Sequence, residues 1–283
     1  MNNIKELDVP YLLKYLKKRP QECHKGDFGR VLVVGGALGY SGAVRLAGEA
    51  SLRVGAGCVS IATNKIHAVS LNVSCPELMC HGITKTSDIN KLLDNTTFIV
   101  IGPGLGTNQW GLSLLKAVSK RHDKPILFDA DALNLIAQNN IKINSSNCIF
   151  TPHPGEAARL LNTSAQVIQN NRLIAIHQLY ARLGGVIILK GANTLIQSNM
   201  GIVEVCRAGN PGMATAGMGD VLSGTIAGLA AQNIPLSDAA KLGVLVHAMA
   251  GDASALEQGE RGMMASDLMP YLRRIVSNFY VVK

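Results

Sequence analysis

The chain has 283 residues, 47% of them hydrophobic and 16% charged, so it can bury a sizeable core and is too apolar for intrinsic disorder. Lysine and arginine outnumber aspartate and glutamate by 27 to 19, and the net charge of +8 favours anionic ligands. The basic residues are scattered without interleaved aromatic residues, so we expect no nucleic-acid partner. No uninterrupted apolar run reaches the length of a membrane span, so we expect no membrane partner either.

Cysteine usage and the N-terminal sequence bear on the cellular compartment. The six cysteines form no C-x-x-C pair and mostly lie in apolar contexts, which is typical of reduced, buried thiols. The first 20 residues contain acidic residues and lack the apolar segment of a secretory signal. We therefore expect a cytoplasmic protein.

Short apolar runs alternate with helical patterns along the chain. The segment before about residue 25 is predicted to be a helix packed on the outside, and the last third, residues 219–277, to be mostly helical. The turn at 198–201 predicts a hairpin between strands at 194–197 and 202–206. The remaining predicted strands are residues 31–34, 58–62, 98–101, 126–128, 148–150 and 186–189, with helices between them at 43–54, around 112–118 and at 172–183.

This alternation defines the fold class. Nearly continuous apolar strands separated by helices indicate an α/β protein with a mainly parallel sheet covered on both faces, and the hairpin adds a mixed edge. The sequence contains no linker, low-complexity segment or fixed-period repeat, so we expect a single domain over residues 1–283.

Glycine and polar residues follow nearly every predicted strand. In open α/β sheets, ligands bind beyond the carboxyl ends of the strands, where such loops meet. We therefore predict a binding site at this edge, formed by the segments 35–36, 102–106, 129–131, 151–154 and 190–191.

The segment from Gly209 to Gly224 carries the strongest catalytic signal. Its small residues lead into an apolar helix, and the backbone of Gly217, Met218 and Gly219 at the helix N-terminus predicts an anion hole. Asp220 follows directly and could accept a proton from a substrate hydroxyl that attacks a phosphoryl group. The alternative is that Asp220 only stabilises the first helical turn.

Three further residues at the predicted edge are candidates for ligand contact. His153 stands between two prolines at a strand end, where we expect it to touch a ligand rather than the core. Glu156 could hold Mg²⁺ through water or favour the start of a helix. Lys190 follows a buried strand and could neutralise phosphate or lie in a solvated loop.

The motifs together resemble a known family. Residues 102–106 (GPGLG), 129–134 (DADALN), 151–156 (TPHPGE), 190–194 (KGANT) and 217–224 (GMGDVLSG) occur in this order, after a Gly-Gly pair near residue 35. This set is similar to that of the ADP/ATP-dependent NAD(P)H-hydrate dehydratases, and the resemblance covers about residues 10–275. It implies a ribokinase-like three-layer sandwich. It also implies a repair activity: the hydroxyl of (6S)-hydrated NADH or NADPH is phosphorylated, and loss of phosphate restores the double bond.

The resemblance also implies roles for individual residues. Asp220 would be the catalytic base, and Ala43, Gly106 and His153 would join it in contacting the hydrated dinucleotide. Bacterial members of this family often use ADP as the phosphoryl donor, and eukaryotic members use ATP. The donor would be held by Lys190, Gly191, Ala192, Asn193, Thr194 and Gly219. Glu156 matches the position at which related kinases organise Mg²⁺, although those kinases often carry Asn where this chain has His153.

Two partners follow from the same resemblance. Many relatives carry an additional epimerase domain, and too few residues precede Gly26 to form one here. We therefore expect a separate epimerase to act on the R epimer. Because members of the family are commonly tetramers, we also expect a homotetramer.

Two other functions remain open from the residues alone. A ribokinase-like kinase for a small alcohol would share Asp220 and the anion loop but would leave phosphate on its product. A non-catalytic nucleotide-binding protein would keep the fold without needing Asp220, so replacing Asp220 with Asn separates the enzymes from it.

Overall fold

The computed structural model describes residues 3–278, and its strands form one ten-stranded sheet. The strands are β1 (Asn3–Glu6), β2 (Arg30–Val34), β3 (Cys58–Asn64), β4 (Met79–Ile83), β5 (Phe98–Ile101), β6 (Ile126–Phe128), β7 (Cys148–Phe150), β8 (Val186–Leu189), β9 (Thr194–Asn199) and β10 (Ile202–Cys206). Their order in the sheet is β1-β10-β9-β8-β7-β6-β5-β2-β3-β4. In this order, neighbouring strands pair parallel from β8 to β4, while β9 pairs antiparallel with both β8 and β10.

Helices cover both faces of this sheet and enclose two hydrophobic cores. Alternate residues of β2 belong to different cores, with Val31 and Val33 on one face and Leu32 and Val34 on the other. The helices are α1 (Val9–Leu13), α2 (Ser41–Arg53), α3 (Asn90–Asp94), α4 (Gln109–Val118), α5 (Ala130–Asn139), α6 (Pro154–Leu161), α7 (Ala165–Asn170), α8 (Arg172–Leu183), α9 (Met218–Ala230), α10 (Leu236–Gln258) and α11 (Leu268–Asn278). The first core is closed mainly by α2, α9, α10 and α11, and the second by α4, α5, α6 and α8.

The predicted α/β class, the six parallel strands and the hairpin are confirmed. The prediction for the N-terminal segment was wrong in part, because strand β1 precedes the short helix α1 and pairs with β10 at the sheet edge. Strand β4 was not predicted at all. Both are edge strands, and their sequences, NIKE and MCHGI, lack the continuous apolar run that marks a strand buried on both faces.

The described residues show whether any helix could span a membrane and whether the cysteines form disulfides. No helix within residues 3–278 has both the length and the apolar composition needed to cross a membrane. All six cysteines are free, although only Cys75, Cys148 and Cys206 are fully buried.

Close contact between α2 and α9 sets the position of the α9 N-terminus. A Cβ atom on Gly224 would lie 2.0 Å from the carbonyl oxygen of Ala47, so only glycine permits this approach. The hydroxyl of Ser51 on α2 donates a 2.9 Å hydrogen bond to the carbonyl of Gly224. The two backbones are therefore held together one turn beyond Asp220.

We expect Gly224→Ala to lower the free energy of unfolding by roughly 1–3 kcal/mol, because the added methyl group forces α2 and α9 apart. Urea denaturation monitored by circular dichroism measures this change. Gly42→Ala on α2 is the control, since no atom lies within 4 Å of its added Cβ. Equal stabilities of the two variants would contradict the proposed role of this contact.

Candidate active site

The loops after the parallel strands meet at one edge of the sheet, as the sequence predicts. The loop after β2 is bonded to the loop after β5, with Gly36 N donating to the Pro103 carbonyl at 3.0 Å. The loop after β8 is bonded to the loop after β7, with Lys190 N donating to the Pro152 carbonyl at 2.9 Å. The N-terminus of α9 lies against the same edge, so the predicted site is assembled from these loops.

A buried ion pair occupies the centre of this edge. The Nζ atom of Lys190 lies 2.7 Å from Oδ1 of Asp129, whose Oδ2 accepts a 2.7 Å hydrogen bond from the hydroxyl of Ser223. Burial alone would raise the pKa of Asp129, but the Lys190 ammonium and the Ser223 hydroxyl hold that pKa below its ordinary value. In the same way, Asp129 and Glu156 keep the pKa of Lys190 above its ordinary value despite burial. Both members of the pair are therefore charged.

The His153–Glu156 segment forms the N-terminus of α6. The backbone N–H of His153 donates to Oε2 of Glu156 at 2.8 Å, and the N–H of Gly155 donates to Nδ1 of His153 at 2.9 Å. This reciprocal capping confirms that Glu156 stabilises the helix start, one of the two roles left open for it. The same oxygen of Glu156 lies 3.7 Å from Nζ of Lys190, so the capping carboxylate also faces the central ion pair.

Burial changes the protonation of both capping residues. It raises the pKa of Glu156 to about 7, with Lys190 partly offsetting the rise. Burial and the Lys190 charge lower the pKa of His153. His153 is therefore neutral near pH 7 and already accepts a hydrogen bond through Nδ1.

Asp220 lies in the first turn of α9 among the same charges. Burial raises its pKa to about 7, the charge of Asp129 adds to the rise, and Lys190 partly offsets it. A carboxylate with this pKa can take up a proton near neutral pH. This environment favours the predicted role of a general base over that of a simple first-turn acid, which needs no raised pKa.

The glycines before Asp220 shape the predicted anion hole. Gly217 has φ +89°, and a Cβ there would lie 2.6 Å from Leu46 Cδ1, so the turn requires glycine. A Cβ on Gly219 would lie 3.3 Å from Nζ of Lys190, which places this backbone directly beside the central ion pair. The N-terminus of α9 and the Lys190 ammonium thus face the same space, where both favour an anion.

Ala43 and Gly106 lie on the side of the site formed by the loops after β2 and β5. Ala43 is in the first turn of α2, where its Cβ is within 3.3 Å of the position that a Cβ on Gly104 would occupy. Gly106 has φ +72°, and its N–H donates to Oδ2 of Asp131 at 2.8 Å. Because the charge of Asp131 also raises the pKa of Asp220, this side of the site is electrostatically coupled to the candidate base.

The predicted nucleotide-binding residues form an exposed turn between β8 and β9. Lys190 points into the site, whereas Gly191, Ala192 and Asn193 are exposed. Gly191 has φ +133° and Asn193 has φ +55°. The hydroxyl of Thr194 donates a 2.9 Å hydrogen bond to the Gly191 carbonyl, so this side chain fixes the turn.

Sequence reasoning did not single out three side chains that organise this site. Asp129 lies in the predicted edge segment 129–131, Ser223 in the 217–224 motif and Arg172 at the start of a predicted helix, but none of the three was given a role. The position of Asp129 directly after a buried strand predicted its place at the edge but not its partner Lys190. No local pattern marks Ser223, which faces Asp129 from α9, or Arg172, which contacts the turn after β8.

The acidic side chains of the site determine which kind of cation it could bind. Among residues 3–278, no three His, Cys, Asp or Glu side chains form a ready metal-binding cluster. The carboxylates of Asp129, Glu156 and Asp220 nevertheless all act on the charge of Lys190, and the charge of Asp131 acts on Asp220. These hard oxygen donors suit Mg²⁺ that keeps most of its own waters, as it does when it enters with a nucleotide.

Comparison with known structures defines the class of this fold. A ribokinase-like superfamily protein from Enterococcus faecalis matches with a TM-score of 0.90 and 30% identity, covering 99% of this chain and 97% of that one. The ADP/ATP-dependent NAD(P)H-hydrate dehydratase of Bacillus subtilis, co-crystallised with ATP/Mg²⁺, matches with a TM-score of 0.85 and 26% identity, covering 99% and 100% of the two chains. The fold is ribokinase-like, as the sequence resemblance implies.

The family follows from the sequence comparisons. The family model described as NAD(P)H-hydrate dehydratase matches residues 31–274, and the chain belongs to this family. The ADP-dependent (S)-NAD(P)H-hydrate dehydratase of Neisseria meningitidis is 38% identical over 91% of this chain and 88% of its own length. A bifunctional NAD(P)H-hydrate repair enzyme of Coxiella burnetii is 49% identical over 93% of this chain. The chain spans about half the length of that enzyme and of several other bifunctional relatives.

The raised pKa of Asp220 makes a prediction about stability. Because the pKa is about 7 in the folded protein and 3.8 ordinarily, the protonated carboxyl favours folding at low pH, and this contribution is lost as the pH rises from about 4 through 7. At pH 8 we expect Asp220→Asn to raise the free energy of unfolding by about 1–4 kcal/mol.

Thermal and urea unfolding at pH 4 and pH 8 measure this effect. The gain should disappear at pH 4, where wild-type Asp220 is protonated in the folded state. Glu22→Gln, at an exposed position, is the control and should change stability little at either pH. A gain of the same size at both pH values would show that charge burial is not its cause.

Proposed function

We propose that this chain catalyses the nucleotide-dependent dehydration of (6S)-hydrated NADH and NADPH, with ADP as the favoured phosphoryl donor. The observation that carries the proposal is the half-buried carboxylate of Asp220, with a pKa of about 7, at the N-terminus of α9 beside Lys190. Membership of the dehydratase family supports the reaction, and the name of the Neisseria meningitidis relative supports ADP.

In the first step, Asp220 accepts the proton of the ring hydroxyl. The hydroxyl oxygen then attacks the terminal phosphorus of the nucleotide, a new P–O bond forms, and the bond to the departing nucleotide breaks. AMP leaves if ADP is the donor, and ADP leaves if ATP is the donor. The backbone N–H groups at the start of α9 and the Lys190 ammonium stabilise negative charge on the transferring group.

In the second step, phosphate leaves the ring carbon with the electrons of the C–O bond. The neighbouring ring carbon loses a proton, and its C–H electron pair forms the restored double bond. Phosphorylation is needed because phosphate is a much better leaving group than hydroxide. The sum is loss of water from the dinucleotide and cleavage of one phosphoanhydride bond.

The other residues bind and orient the two ligands. In this proposal, Ala43, Gly106 and neutral His153 contact the hydrated dinucleotide along with Asp220. The turn from Lys190 to Thr194, together with Gly219, holds the phosphoryl donor, and Gly217, Met218 and Gly219 form the anion hole. Mg²⁺ would be held by the nucleotide phosphates and, through water, by Glu156, and it would neutralise charge on those phosphates.

The charge distribution explains why a cation should accompany the nucleotide. Although the whole chain has a net charge of +8, the site places the carboxylates of Asp129, Glu156 and Asp220 around Lys190. Two anionic ligands would enter this region more favourably with a divalent cation than alone.

The proposal also includes a homotetramer, a cytoplasmic location and a separate epimerase partner for the R epimer.

Purified protein mixed with racemic hydrated NADH, Mg²⁺ and ADP should produce the absorbance band of the reduced nicotinamide. We expect about half of the racemate to react and phosphate to be released, because only the S epimer is a substrate in this proposal. Parallel reactions with ATP and with hydrated NADPH measure donor and substrate preference. A stable phosphorylated product from a small alcohol, with no reaction of hydrated NADH, would instead support the kinase alternative.

Asp220→Asn should reduce kcat/KM by at least roughly 100-fold while leaving nucleotide binding within a few-fold, because the amide cannot accept the proton. For the wild type, kcat/KM should rise with pH through an apparent pKa near 7, set by Asp220 in the free enzyme. Steady-state kinetics between pH 5 and 9, with nucleotide binding measured by calorimetry, test both points. Full turnover by the variant would exclude Asp220 as the base.

A further inference from the structure

Arg172, the first residue of α8, contacts the backbone of the turn between β8 and β9. Its Nη2 donates to the carbonyls of Leu189, at 2.8 Å, and Lys190, at 3.3 Å. Its Nη1 donates to the carbonyl of Ala192. One guanidinium therefore holds three carbonyl groups of the turn that carries the candidate nucleotide-binding residues.

The Gly191 carbonyl, which lies between the Lys190 and Ala192 carbonyls in sequence, also accepts a hydrogen bond. Gly191 O accepts the hydroxyl of Thr194, so each of the four successive carbonyls from residue 189 to residue 192 has a side-chain donor. At the start of the turn, Lys190 N is used by the Pro152 carbonyl. Apart from that of the Lys190 N–H, the hydrogen bonds of the turn among the described residues are therefore made to its carbonyls.

Peptide geometry determines where the amides of the turn face. In a trans peptide the C=O and N–H groups point in opposite directions. Since Arg172 holds the carbonyls of Lys190 and Ala192, the N–H groups of Gly191 and Asn193 point away from the guanidinium. Within the described part of the chain, neither amide has a hydrogen-bond acceptor, and both residues are exposed. Exposed backbone amides that face solvent without an acceptor can bind an anion.

The charge of Arg172 acts in the same direction. None of the ion pairs between described residues includes Arg172, although its side chain is partly buried and burial lowers its pKa. Its positive charge is therefore not balanced by a nearby carboxylate. An anion above the turn would interact favourably with this charge as well as with the amides.

We propose that Arg172 is a positioning residue for the phosphoryl donor: by holding the carbonyls of Leu189, Lys190 and Ala192, it presents the amides of Gly191 and Asn193 to the nucleotide phosphates. This inference rests on the proposed nucleotide-binding role of residues 190–194. Arg172 acts through the backbone of the turn and takes no part in proton transfer at Asp220.

The test compares Arg172→Lys and Arg172→Gln with Arg182→Gln, a control at an exposed position of the same helix. Calorimetry measures the Kd of ADP in the presence of Mg²⁺, and kinetics with saturating hydrated NADH measure KM for ADP and kcat. We expect both Arg172 variants to weaken ADP binding by roughly 10-fold or more, since at least two hydrogen bonds are lost. The kcat at saturating ADP and the KM for hydrated NADH should stay within a few-fold of the wild type.

Arg172→Ala provides an independent test by chemical rescue. Methylguanidinium at millimolar concentration should restore part of the ADP affinity that this variant has lost. It should leave the ADP affinity of Arg182→Ala unchanged. Circular dichroism and thermal unfolding establish that each variant is folded. If Arg172→Ala or Arg172→Gln is unfolded, the ADP affinity of Arg172→Lys tests the proposal.

Different outcomes would overturn different parts of the proposal. Wild-type ADP affinity in Arg172→Lys would overturn the positioning role, because one ammonium cannot hold three carbonyls. A fall in kcat with unchanged ADP affinity would also overturn it. Failure of the wild type to bind ADP or ATP would overturn the nucleotide site itself, together with this inference.

Discussion

The Asp129–Lys190 ion pair is the interaction around which the site is arranged. Its two residues are far apart in sequence and follow β6 and β8, the neighbours of β7 on either side. Ser223 binds the remaining oxygen of Asp129 and joins α9 to the pair. One buried carboxylate therefore joins three elements whose ends form the edge with the candidate active site. Breaking such a pair by removing one partner generally costs several kcal/mol, because the other charge is left buried.

The same pair determines the acid–base properties of its surroundings. The negative charge of Asp129 adds to the effect of burial on Asp220 and Glu156, whereas Lys190 limits the rise in both pKa values. The result is two carboxyl groups with pKa values near 7 beside one ammonium group. Keeping a carboxylate in this environment reduces stability near neutral pH and makes proton transfer possible there. Such a compromise is common where a catalytic group must be partly buried.

Much of the fold could be predicted from sequence because the central strands are buried on both faces. Phe98–Ile101 and Val186–Leu189 are wholly apolar, and such runs carry a clear signal. The edge strands β1 and β4 carry no such signal, since half-exposed strands tolerate polar residues. The glycine-rich and polar loops also predicted the ligand-binding edge, because parallel strands bring their carboxyl ends to one side of a sheet.

The sequence by itself determined the α/β class, the family resemblance and the candidate residues Asp220, His153, Glu156 and Lys190, since each is part of a local motif. Only the tertiary structure decided that Lys190 pairs with Asp129, that Ser223 completes the pair and that Arg172 holds the turn after β8. The residues in these three contacts are separated in sequence by 61, 94 and 18 positions, respectively. Their partners are set by strand order and helix packing, which no local pattern of residues encodes.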